Sequence, residues 1–363
     1  MNDTSASHEQ KDSLPRVGLS ISIDTEEDNW IPAREGVTVS NIQELPKLAD
    51  LFASLGVRAT YFANYQVAAA AESAAVLREL LGRGDAEIGA HLHPWNTPPD
   101  SGIEQQVTML QDYPRDVQRQ KLERLLEEFD KSVRIRPKSF RAGRFGIGES
   151  MIETLIETGL YVDSSVTPLL SWESTGGPSF IGAPSRLYRL DGRGDVRIPA
   201  ESGLLVEVPI TVGFTRSSPA SWVQIAEFLA TPGARGLHVL GFASRLGFLR
   251  RVVLSPETHS VDEMLRISKH FIESGAPFLH LFFHSNSLQA GLNPFVTTED
   301  DVDRLYSSLR RYVEGLQGMA DVDFYTVSEA AAALGPQRAA TLDPIPIDRP
   351  QGVPGTRSGE STE

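Results

Sequence analysis

Glu87-Ile88-Gly89-Ala90-His91-Leu92-His93-Pro94-Trp95 is the stretch on which the reading of this chain turns. Its apolar approach ends in two histidines one residue apart, and on an extended backbone such residues project to the same side. A strand end built this way offers two nitrogen ligands to one metal ion. A buried histidine pair packed against Trp95 would look the same in isolation, so the weight falls on the rest of the chain. There, carboxylates, an arginine and a further histidine each fall at the end of another strand-like segment.

The first of these segments is Val17-Gly18-Leu19-Ser20-Ile21-Ser22-Ile23, which alternates apolar and small residues and is rich in β-branched side chains. It runs without a turn into Asp24-Thr25-Glu26-Glu27-Asp28. Such a run of acids is commonly a solvated loop. Here it follows a core strand directly, and Asp24 and Glu26 would share a face.

Further along come a helical stretch around 42–55 stopped by Gly56, a strand over 58–63, and a helix ending near Gly82. After the histidine strand, a long helix over 115–133 puts Leu122, Leu125, Leu126, Phe129 and Val133 on one stripe, as core packing requires. Pro137 to Arg144 reads as a short strand ending in a glycine turn with two arginines, Arg141 and Arg144. The segment 159–165 repeats the arrangement with an acid, Asp163. Another strand covers 204–209, and the apolar run 277–285 ends in His284. Strand, polar residue and helix recur with the rhythm of an α/β parallel barrel, whose chemistry gathers at the carboxyl ends of the strands.

Residues 1–15 and 338–363 read as disordered tails, leaving 16–337 as the globular domain. Within it, 171–258 fits the rhythm least and is expected to be a less regular insertion or lid. Its stretch Leu237 to Leu254 mixes apolar residues with Arg245, Arg250 and Arg251, which suits a barrel edge better than an amphipathic membrane contact.

Composition removes whole classes of function. The 363 residues carry 34 basic and 48 acidic side chains, a formal charge of −14, which disfavours nucleic acid and anionic membrane surfaces. The absence of cysteine rules out disulfides and thiolate ligands, so any metal must be held by nitrogen and oxygen. The polar start has no signal-peptide core, and no run approaches the roughly 20 apolar residues that span a bilayer. A cytoplasmic location is the expectation.

With these residues in view, the chain resembles the polysaccharide deacetylases, the family with the NodB homology domain, also called carbohydrate esterase family 4. The similarity spans about residues 17 to 333, with the motifs in the family's order, and looks closest to a WalW-like bacterial branch associated with cell-wall and exopolysaccharide biosynthesis. The resemblance implies a distorted parallel (β/α)7-type barrel. By the match of Ser22-Ile23-Asp24-Thr25-Glu26, Asp24 would be the general base and Glu26 the carboxylate metal ligand. The family's second motif usually has two histidines four positions apart; here His91 matches the first, Trp95 occupies the usual second position, and His93 stands in as the third ligand.

Phe140-Arg141-Ala142-Gly143-Arg144 matches the arginine motif, with Arg141 bracing the base. Tyr161-Val162-Asp163-Ser164-Ser165 resembles a family segment whose acid is more often architectural. His284 in Leu281-Phe282-Phe283-His284 matches the general acid, while His280 is expected to be merely packed. Trp95, Arg144 and Asp163 are the candidate substrate contacts.

The activity so implied is hydrolysis of the acetamide of an N-acetylated sugar or glycan precursor, assisted by a divalent metal, with zinc the expected ion. One alternative keeps the fold and hydrolyses a small cyclic amide, in some relatives without the usual metal triad. Another is a catalytically silent sugar-binding barrel, which has no need of an acid, a base and a brace together. A nucleotide-linked or lipid-linked sugar fits an internal location.

Overall fold

The computed structural model describes residues 14–104, 106–216, 219–230 and 250–337. Its strands are β1 (Arg16–Thr25), β2 (Ala59–Ala63), β3 (Ala86–Leu92), β4 (Ser139–Ala142), β5 (Val162–Asp163), β6 (Tyr188–Leu190), β7 (Leu205–Glu207), β8 (Val212–Phe214), β9 (Arg251–Val253), β10 (Phe278–His284) and β11 (Asp321–Phe324). The helices are α1 (Leu45–Leu55), α2 (Tyr65–Ala69), α3 (Ala71–Arg83), α4 (Arg115–Glu128), α5 (Glu149–Glu157), α6 (Trp222–Ala230), α7 (Val261–Glu273), α8 (Glu299–Gln317) and α9 (Val327–Leu334).

Nine strands form one sheet in the order β10-β1-β2-β3-β4-β5-β7-β6, with β11 pairing the start of β1. All its pairings are parallel except β6 with β7. The sheet curls without closing. Across the seam, the Thr211 amide donates to the His280 carbonyl at 3.1 Å, and the His280 amide donates to Thr211 Oγ1 at 2.8 Å. This is the parallel barrel that the strand rhythm predicts, with the distortion that the family resemblance implies.

Period-two alternation sorts the side chains of each strand to two faces. On β1, Val17, Leu19, Ile21 and Ile23 face outward into a large core shared with α1, α3, α4, α7 and α8. Ser20, Ser22 and Asp24 face inward, where Ser22 Oγ meets both Arg141 and His280. The interior is therefore polar near the carboxyl ends. Beneath Phe62 it is apolar, filled by Val206, Val208 and Phe278 and plugged by Val327, Ala330 and Ala331 of α9. Full burial of a side chain of this size stabilises by about 1.5–3 kcal/mol.

Helix ends follow local chemistry. Ser260, Thr298 and Thr326 each cap the next helix reciprocally with an acid three residues on. Gly56 ends α1 at φ 72°, a conformation glycine adopts without steric cost. The helix expected over 115–133 is α-helical only to Glu128 and continues as a π-helical turn over Phe129–Val133.

Residues 171–258 are expected to be a less regular insertion or lid, with a strand over 204–209. The described part supplies β6 and β7 to the main sheet and β8 and β9 to a two-stranded antiparallel one. Strands of three residues between Gly/Pro-rich loops are too short for alternation to show in sequence. Residues 231–249, which include most of the basic-apolar stretch 237–254, lie outside the described residues, as do 1–13 and 338–363 of the expected tails. Among the described residues, no helix is long and apolar enough to cross a membrane.

Candidate active site

The strands deliver their terminal polar residues to one mouth. In register, Asp24 of β1 lies beside His284 of β10, and His91 of β3 beside Arg141 of β4. Register neighbours on parallel strands point the same way, so backbone pairing alone brings these four side chains to one side.

Glu26, His91 and His93 converge there, all buried, with one possible ligand atom of each within 4.8 Å of the others. His93 Nε2 lies 3.0 Å from His91 Nε2 and 3.0 Å from Glu26 Oε2, and His91 Nε2 lies 3.6 Å from the same oxygen. The other ring nitrogens fix the tautomers. His91 Nδ1 is 3.0 Å from the Arg141 carbonyl and His93 Nδ1 is 3.1 Å from Glu27 Oε1. Both partners can only accept, so both Nδ1 atoms carry the hydrogen and both Nε2 atoms present lone pairs.

Three lone-pair donors aimed at one point repel unless protons or a cation lie among them. The donor set, two imidazoles and a carboxylate, fits a divalent ion such as zinc with coordination positions left for water and substrate. When protons fill that role, burial opposes a charged His93, but Glu27 and Glu26 outweigh it and lift its pKa to about 10. Glu26 is held far below the usual carboxylate range: burial works against its charge, and hydrogen bonds from His91 and His93 prevail.

Asp24 sits beside this cluster, gripped by Arg141. Arg141 is fully buried and places Nη1 2.5 Å from Asp24 Oδ1. Its remaining donors go to the Ser164 carbonyl at 2.8 Å and to Ser22 Oγ and Ser164 Oγ, each at 2.9 Å. Phe62 lies under the guanidinium, 4.3 Å from carbon to ring centroid. The second carboxylate oxygen of Asp24 stays free to face His284 Nε2 at 3.9 Å.

His284 is held from behind by Glu257, which accepts from Nδ1 at 2.9 Å and from the His284 amide at 3.0 Å. Ser287 Oγ donates to the same carboxylate at 2.5 Å. Burial disfavours the imidazolium, yet the charge and hydrogen bond of Glu257, with Glu26 and Asp24 behind them, raise its pKa to about 10.

The other expected contacts divide. Trp95 lines the mouth and stacks on His93, ring centroids 4.2 Å apart and 28° between planes. Arg144 also lines it, with φ 54° and ψ 24°, and Nη1 donates to Thr108 Oγ1 at 2.8 Å. Asp163 is not brought to the mouth. It is fully buried, accepts from the Ser165 hydroxyl at 2.6 Å, and pairs with buried Glu207. Ser165 Oγ in turn accepts from the Ala142 amide at 2.9 Å, so Asp163 props the strand end that carries Arg141. Burial and the neighbouring carboxyl push Glu207 well above the usual carboxylate range. His280 is packed as expected, its Nε2 2.8 Å from Ser22 Oγ.

Glu27, Glu257 and Trp30 were not singled out from sequence. Glu27 stands in the acid run, where alternation pointed to its neighbours, and is fixed by Asn64 and by Asn96 Nδ2 at 2.7 Å. Glu257 lies in a loop without periodicity. Trp30 meets His284 edge to face at 5.1 Å.

No protein-family model matches the chain, and no curated protein matches it. Solved structures do. A protein assigned as a polysaccharide deacetylase from Mycobacterium smegmatis superposes with a TM-score of 0.51 at 17% identity, over 92% of this chain and 96% of that one. Puue allantoinase superposes with a TM-score of 0.50 at 14% identity, over 89% and 92%. This likeness is one of fold: the chain has the fold of the polysaccharide deacetylases.

Proposed function

We propose that this chain is a metal-dependent N-deacetylase that hydrolyses the acetamide of an N-acetylated sugar or glycan precursor. The observation that carries the reading is the placement of the Glu26, His91 and His93 lone pairs beside an Asp24–Arg141 pair and a His284–Glu257 pair at one mouth. An amide has a weakly electrophilic carbonyl and a poor leaving group, so both ends need help.

Glu26, His91 and His93 would hold a divalent ion, zinc by the chemistry of the donor set, which supplies Lewis acidity toward the acyl oxygen and toward water. Asp24 accepts a proton through Oδ2, while Arg141 on Oδ1 fixes its direction. His284 donates a proton from Nε2 to the departing amine, and Glu257 on Nδ1 keeps the ring charged and oriented. Trp95, packed flat on His93, excludes water from that side of the ligand.

The likeness to Puue allantoinase supports a second reading, in which the same residues open a small cyclic amide. A silent sugar-binding barrel would not require a base with a brace and an acid with a brace on opposite sides of one gap. Elemental analysis of purified protein, followed by acetate release from N-acetylated sugars, tests the first reading. About one ion per chain and released acetate support it; a full complement of metal with ring opening of a cyclic amide and no acetate would replace it with the second.

A further inference from the structure

A second cavity, of about 290 Å³, adjoins the mouth and shares Trp30, Arg144, Phe145 and His284 with it. Its remaining wall is largely apolar, with Met109, Trp172, Val253, Phe282 and Phe295. Phe145 and Trp172 stack at 5.6 Å with 20° between planes. Because His284 stands on the border, the fragment that receives its proton departs on this side. The cavity is thus placed to hold the amine-bearing ring.

Charge in the two walls is balanced except at one point. Asp24 is matched by Arg141, and Glu257 by His284. Glu26 faces the two histidines. Arg144 has no acidic partner among the described residues; its guanidinium donates to the neutral Thr108 hydroxyl. Arg144 is exposed at the rim of the cavity, where partial desolvation of its guanidinium disfavours the charged form. Arg144 and Phe145 also hold consecutive left-handed conformations, φ 54° and 56°, which non-glycine residues adopt at a cost of about 1–3 kcal/mol each. A strained turn that aims an uncompensated cation and an aromatic ring into one cavity is suited to a ligand that brings both an anion and a ring.

We propose that Arg144 is a specificity residue for an anionic substrate: the ring that carries the scissile amide also carries a phosphate or a carboxylate, seated beside Phe145 and Trp172. The assignment rests on the deacetylase reading only for which side of the amide enters this cavity. The Glu257 carboxylate also lines the cavity, and its charge is already taken by His284 and Ser287.

Calorimetric binding to the metal-loaded Asp24→Asn protein tests this without turnover. The ligands are N-acetylglucosamine, its 1-phosphate, its uronic acid, and inorganic phosphate as competitor. The expected result is binding of one anionic sugar about 10- to 100-fold tighter than the neutral one, the range of a charge-assisted hydrogen bond. The sugar that shows it distinguishes phosphate from carboxylate. Arg144→Gln should remove the preference while leaving the neutral sugar's affinity unchanged, and Arg144→Lys should keep part of it.

Equal binding of neutral and anionic sugars by the Asp24→Asn protein would overturn the proposal. So would an equal loss for both in Arg144→Gln, which would make Arg144 a loop pin for Thr108. Acetate release is no part of this readout. A retained anion preference with no deacetylation by the unsubstituted enzyme would therefore count against the deacetylase reading and for this one.

Discussion

Asp24 and His284 are register neighbours on the paired strands β1 and β10, and 3.9 Å separates Asp24 Oδ2 from His284 Nε2. Each has its far side occupied by a buried opposite charge, Arg141 for the carboxylate and Glu257 for the imidazole. The two side chains are thus held at a fixed spacing by β-sheet hydrogen bonds, each braced from behind.

Removing any of the three converging donors should empty the metal site. Glu26→Ala, His91→Ala and His93→Ala are each expected to purify without the one ion per chain expected of the unsubstituted protein, as elemental analysis would show. Glu27→Gln leaves the donors in place but loosens the tautomer of His93, so a chelator competition should read about 10- to 100-fold weaker binding.

His284 must be protonated to act as an acid, so the rate should fall as pH rises through its pKa, which Glu257 raises to about 10. Glu257→Gln removes that charge, and the alkaline limb of the kcat profile is expected to move to lower pH by about 1–2 units. His284→Asn should lower kcat by about 10² to 10⁴ and leave the metal content intact.

Arg141→Met leaves the buried Asp24 carboxylate uncompensated, which should cost about 3–5 kcal/mol in denaturant unfolding. Adding Asp24→Asn removes the stranded charge. The double variant is expected to recover much of that stability and none of the activity; a double variant as unstable as Arg141→Met alone would contradict the pairing.

A methyl group at Gly143 would sit 2.6 Å from His93 Cδ2 and 2.8 Å from the Leu92 carbonyl oxygen, and the second of these is backbone that cannot swing away. Gly143→Ala should therefore destabilise by about 1–3 kcal/mol and weaken metal binding together, as unfolding and chelator competition would show.

Glu207 holds its proton far above the ordinary carboxylate range, because it is buried beside Asp163. The folded chain binds a proton that the unfolded chain releases above about pH 4.3. That contribution to stability is fully present below this value and lost as pH rises toward the raised folded pKa. Glu207→Gln carries no such proton, so its melting temperature should gain on the unsubstituted protein between pH 5 and pH 8; parallel curves would refute the assignment.

Much of the mouth was legible because it lies on strands. Asp24, His91, Arg141 and His284 end alternating or apolar runs, and the period of two predicts their common face. Glu26 and His93 follow at the same spacing beyond Asp24 and His91. What holds these residues in place was harder to see. Glu257 reaches His284 from a loop after β9, where no periodicity marks it. Glu27 was hidden by its neighbours, since four acids in five positions look alike until Asn64 and Asn96 select one. Asp163 ends a strand just as the mouth residues do, yet its strand is two residues long and its side chain turns to Glu207. Strand position alone could not separate a prop from a contact.

The pairing of β1 has a consequence for how the chain reaches its working form. β1 precedes every other strand, yet two of the strands it pairs with, β10 and β11, are the last in the sheet. During synthesis its edge must wait for more than 250 residues to emerge before Asp24 meets His284. Such long-range pairing slows folding, so the mouth that joins Asp24 to His284 is complete only once the final strands dock.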